Sequence, residues 1–145
     1  MSKKFFAIAS ATLFVVLFNV GFVFHEPLMG AWFQRQEAAI AREQFIIPLI
    51  AVAFLAYSLI LAYLYPIYRS YYADAPLMPM SIAFGILMGF VWDGLQGGII
   101  EVATFEMPFI VFVVDSGYHV FVEGSIAGAV LGLVARRWSP VLRTA

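Results

Sequence analysis

The chain contains no cysteine, and that absence removes disulfides, thiolate metal sites, iron–sulfur clusters and thiol nucleophiles together. Charge is scarce as well. Only 12% of the 145 residues are charged and 63% are hydrophobic, against about 25% and roughly 45–50% in an ordinary soluble domain. The mean hydropathy of +0.94 points the same way. Eight Lys plus Arg stand against nine Asp plus Glu, so the chain carries neither the basic footprint of a nucleic-acid binder nor a solvating acidic tail. No internal repeat, second domain or phosphate-loop motif is present. Gly94, Gly97 and Gly98 lie inside an apolar run and lack the Lys-Ser/Thr that a phosphate cradle needs.

What the chain has is length of apolar run. A bilayer core of about 30 Å is crossed by about 20 helical residues, and backbone polar groups must be satisfied within each segment there. Four stretches meet the requirement, at about 5–24, 45–67, 80–105 and 109–135. The first follows Lys3 and Lys4 like a secretory leader but exceeds the roughly 7–15 residues of a leader's apolar region, and reads as a retained span. The expected fold is an all-α integral membrane bundle of four helices in a single domain. Glu106-Met107-Pro108 leaves room only for a tight hairpin between the third and fourth spans. Lys3, Lys4, Arg69, Arg136, Arg137 and Arg143 fall on one side and only Arg35 and Arg42 on the other. Basic residues collect on the cytoplasmic side, so both termini are expected in the cytoplasm and the protein in the cytoplasmic (inner) membrane of a bacterial cell. The segment between the first two spans alternates Leu28, Trp32, Phe33 and Ile40 with Gln34, Arg35, Glu37 and Arg42; it suits either a short surface helix or a solvated loop.

The last two spans bring Asp93, Glu101, Asp115, Glu123 and His119 into the bilayer with no Lys or Arg among them. An Asp at mid-span costs about 2.5–3.5 kcal/mol on the insertion scale, and each Leu, Ile, Phe or Val returns about 0.3–0.6. The ten such residues from Ile82 to Val102 therefore roughly offset Asp93 and Glu101, which leaves the third span marginal alone. On that span Gly85, Gly89, Asp93, Gly97 and Glu101 recur every four residues and share a face. On the fourth, Asp115, His119 and Glu123 do the same. Counted from Pro108, Glu101 matches Asp115, Gly97 matches His119 and Asp93 matches Glu123, so continuous α-helices would stack three layers, with Gln96 at the edge of the seam.

Four adjacent acids cannot all stay ionised at low dielectric. They need shared protons or a cation, and Asp93, Gln96, Glu101, Asp115, His119 and Glu123 are the candidate ligand or ion-binding residues. Glu101, Asp115, His119 and Glu123 form a candidate set for a divalent metal such as manganese, iron or zinc. No catalytic nucleophile or redox-cofactor motif is recognisable. The competing reading is that protonated carboxyls hydrogen-bond as packing glue, in an accessory or assembly subunit of a larger membrane complex; a membrane-embedded enzyme is a third. His25 and Glu26 read as a cap or loop, or as guards of an entrance. Gly124, Gly128 and Gly132 lie about 180° around an ideal helix from the acids and suit close helix packing, as Gly85, Gly89 and Gly97 do, within the bundle or in a homo-oligomer. The expected surroundings are lipid, with no nucleic-acid partner.

Gly89, Ala103-Thr104, Pro108 and Asp115 together resemble an uncharacterised family of small bacterial four-span membrane proteins, with a glycine-containing third span, an Ala-Thr plus Pro turn and an Asp early in the fourth. The resemblance covers about the C-terminal half. This chain departs from it at Trp92-Asp93-Gly94, Glu101 and Tyr118-His119. The resemblance implies the four-span topology and a polar site, and no activity.

Overall fold

The computed structural model describes residues 2–36, 46–104 and 108–139, with the side chains of 96–98, 101 and 102 outside the description. Four helices are long and apolar enough to cross a membrane: Lys3–Leu28, Ile47–Tyr71, Leu77–Leu95 and Phe109–Trp138. These form spans 1 to 4, and their limits shift by a few residues from the hydropathy reading. The third helix runs past Leu95 to Thr104. The hairpin residues 105–107, and Glu37, Ile40 and Arg42 of the first connection, lie outside the described residues. Part of that connection is a short helix, Gly30–Gln36, which buries Phe33.

The core lies where spans 1, 2 and 4 meet the first half of span 3. Phe5, Leu13 and Leu17 of span 1 pack with Tyr57, Leu61 and Tyr65 of span 2, Phe84 of span 3 and Leu131 of span 4. The opposite faces present Val15, Leu49, Val52, Phe109 and Phe121, which is the surface lipid requires. Spans 3 and 4 make the closest approach. A Cβ at Gly85 would collide with Gly124 O and stand 2.6 Å from Gly128 N, and one at Gly89 would meet His119 O at 2.8 Å. Glycine alone permits backbone to touch backbone here. Tyr65 and Ser81 add a hydroxyl pair at 2.6 Å between spans 2 and 3.

Arg69 lies in the last turn of span 2 and is almost fully buried, at 2% exposure. Its guanidinium donates to the carbonyls of Tyr72 and Ala75, tying down the connection into span 3. At the same end Lys4 sits over the Trp138 ring, 4.4 Å from its centre, and links the first span to the last.

Three wide turns interrupt the α-helices, at Phe24–Leu28, Phe90–Ile100 and Tyr118–Glu123. In the first, Met29 N–H reaches Phe24 O at 2.9 Å, five residues back. Pro27 lies inside that turn and has no N–H to donate. In the third, Gly124 N–H bonds His119 O, again five back. A single such turn, as in the first and third, accommodates one extra residue and rotates the helix on its N-terminal side by about 100° relative to the helix on its C-terminal side. Gly124 and Gly128 press on span 3, and the Glu123 side chain is buried.

Candidate metal centre

The wide turns aim the ionisable groups. Near the end of span 1 stands His25, whose Nδ1 lies 2.9 Å from the carbonyl of Gly21. A carbonyl only accepts, so Nδ1 carries the proton and Nε2 faces away from its own helix. That Nε2 lies 2.9 Å from Asp115 Oδ1 on span 4. His119, one turn further along span 4, repeats the arrangement: Nδ1 is 2.7 Å from Glu123 Oε2, and Nε2 is 3.7 Å from the same Asp115 Oδ1. With Glu123 as a carboxylate, this Nδ1 too is the protonated nitrogen. The ligand atoms of His25, Asp115 and His119 all lie within 4.8 Å of one another.

The imidazoles are clamped by rings. Phe33 stacks on His25 at 5.3 Å, and the two histidines stack on each other at the same distance. Behind them Phe24 lies flat on Tyr118, 3.7 Å apart and 1° from parallel, which locks the wide turn of span 1 to that of span 4. The first connection thus contributes to the site through Phe33.

Two neutral Nε2 lone pairs and a carboxylate oxygen are all acceptors. Their convergence requires a positive charge among them, either a proton or a metal ion. A metal at about 2.1 Å from each donor would separate cis ligands by about 3.0 Å in an octahedron or about 3.4 Å in a tetrahedron. The observed 2.9 and 3.7 Å bracket those values. A carboxylate on the Nδ1–H of a histidine whose Nε2 faces the ion is the arrangement that orients metal ligands.

Two cavities meet at His119. One, of about 260 Å³, lies between spans 1 and 2; Phe18, Phe22, Ile47, Ile50 and Phe54 form its apolar wall, and His25, Glu26 and His119 its polar end. The other, of about 150 Å³, is lined by Tyr57, Trp92, Asp93, His119 and Glu123. Tyr57 stacks on Trp92 at 4.8 Å. Asp93 Oδ2 is buried with no hydrogen-bond partner among the described residues.

Of the residues singled out in the sequence, Asp115, His119 and Glu123 therefore come together, and Asp93 lies across the smaller cavity from them. The side chains of Gln96 and Glu101, and Gly97 with them, lie outside the description. Glu123 stands behind His119 and contacts its far nitrogen. His25, read in the sequence as a cap or loop residue or a guard of an entrance, is the partner of Asp115. Its only local signal is an ionisable group at the end of an apolar run.

Comparison with protein-family models, with curated proteins and with solved structures finds no match for this chain. Its function has to be read from the site itself.

Proposed function

We propose that this protein holds a divalent transition-metal ion inside the membrane, between its first and fourth spans, through His25 Nε2, His119 Nε2 and an oxygen of Asp115. The supporting observation is that both histidines commit Nδ1 to an acceptor while both Nε2 atoms turn to the same carboxylate oxygen. Two imidazoles and one carboxylate suit iron(II), manganese or zinc, and leave further coordination positions open. Glu123 orients His119. The distribution of basic residues favours cytoplasmic termini, and with that orientation the centre lies in the outer half of the bilayer, with Asp115 about 9 Å from the start of span 4 at Phe109. The four-span family suggested by Gly89, Ala103-Thr104, Pro108 and Asp115 agrees with a polar site on span 4.

Elemental analysis of purified protein, as isolated and after exposure to iron(II), manganese or zinc, tests this reading. The wild type retains metal through desalting, while Asp115→Asn, His25→Ala and His119→Ala lose it. Wild-type protein that retains none of the three ions overturns the proposal.

A second reading has its own support in the unpartnered Asp93 Oδ2 beside a cavity roomy enough for water. The same groups would then pass protons, with His119 between Glu123 and Asp115. Proton flux into liposomes that survives complete removal of metal and is lost in Asp93→Asn would select it.

A further inference from the structure

The cavity between spans 1 and 2 joins an apolar wall to an ionisable end, which a lipid-facing groove does not ordinarily have. Its apolar wall belongs to the outer ends of spans 1 and 2, and its end wall is the histidine pair itself. Phe22, Ile47 and Ile50 at its edge are exposed, so the described residues leave an apolar mouth toward the surroundings of the helices. At about 260 Å³ it lies just under the usual pocket range of about 300–1,000 Å³. That volume suits the head and first carbons of a longer molecule whose remaining tail stays among lipid chains.

Charge narrows the head group. Counting Asp115 and Glu123 as carboxylates, a divalent ion is already balanced, and neutral imidazoles add nothing. Glu26 lines the same cavity as the histidines. An anionic head would approach a neutral centre past a carboxylate, in a medium where like charges repel strongly. An uncharged oxygen donor meets no such barrier.

We propose that the cavity between spans 1 and 2 admits an apolar-tailed lipid with an uncharged oxygen head, a hydroxyl or carbonyl, and presents that oxygen to an open position on the metal. This rests on the metal reading above and names the ligand class of the same site. The molecule enters sideways from the bilayer, tail outward, with Phe18 and Phe54 against its first carbons.

Cobalt(II) serves as a visible probe, because its ligand-field bands report both its binding and any change in its ligands. The full chain, loaded with cobalt in phosphatidylcholine nanodiscs, is titrated with 1-dodecanol, 2-dodecanone, dodecanoate and dodecane. Ile50→Trp and Ile47→Trp add bulk to the wall and mouth of the cavity, and neither replaces a proposed metal ligand. The variants share the wild type's lipid partitioning, so a difference between them reads the cavity alone. The alcohol or the ketone is expected to shift the bands of the wild type at concentrations at least tenfold below those needed in either Trp variant, with equal cobalt in all three. Dodecane is expected to leave the bands unchanged. A dodecanoate response as strong as that of the neutral heads overturns the uncharged-head assignment. A response equal in wild type and both variants, or no response to either neutral head in cobalt-loaded wild type, overturns the cavity's role. Wild type without cobalt bands refutes the metal reading, and this inference falls with it.

Discussion

His119 divides its two ring nitrogens between two carboxylates, and the division sets distinct expectations for each neighbour. Glu123 touches only the far nitrogen, so Glu123→Gln should keep the metal but lower its affinity about 10–100-fold, the usual effect of an orienting carboxylate. A chelator competition read by metal content measures this; affinity equal to wild type would deny Glu123 its positioning role. The same geometry fixes the sign of the pH response. The metal-bound state has both Nε2 atoms free of protons, so protons compete with the ion for the same lone pairs and affinity falls as pH is lowered. Dialysis at pH 8 and pH 5 should retain and release the ion respectively, and retention at both would argue against histidine ligation. Asp115, His119 and Glu123 were legible in the sequence because they lie on one helix at intervals of four. His25 was not, since 90 residues separate it from Asp115 and no periodicity connects two different spans.

Within the helices, the wide turns are what a single sequence hides. Interval counting assumes 3.6 residues per turn, and on that assumption the carboxylates of spans 3 and 4 stack in layers about Pro108. Phe90–Ile100 and Tyr118–Glu123 break the assumption in both helices, each at the ionisable residues. Asp115 and His119 thereby reach span 1, and Gly124 still meets Gly85. Deleting Val122 should restore an ordinary helix and turn the Asp115 half of span 4 by about 100° against the glycine half. Metal retention is then expected to vanish while helical content, read by circular dichroism, stays. An undiminished metal content would show that the wide turn does not aim the site. Glycine positions separate in the same way. Gly85→Leu drives a side chain into the span 4 backbone and should lower stability by at least about 1–3 kcal/mol. Gly117→Ala, where an added Cβ meets nothing within 4 Å, should be neutral or stabilising by up to about 1 kcal/mol. Thermal unfolding in detergent compares the two; equal effects would contradict the close approach of spans 3 and 4.

At the scale of the molecule, the four helices long and apolar enough to cross a membrane were legible because length and hydropathy are read directly from the sequence. Their order around the bundle was not, because it depends on which side chains interlock. Orientation can be tested directly, since the chain has no cysteine to remove. Arg35→Cys should react with a membrane-impermeant maleimide in intact cells and Lys3→Cys only after lysis; the reverse pattern would invert the topology. The bond between His25 and Asp115 has a further use. Under the proposed metal reading span 1 would supply one of three ligands and span 4 the other two, so a chain cut between Gln36 and Ile46 would yield two fragments, neither expected to hold the ion alone. Their apolar faces would still pair, and the ion would add to that pairing, so its free concentration would tune how tightly two separately made pieces hold together.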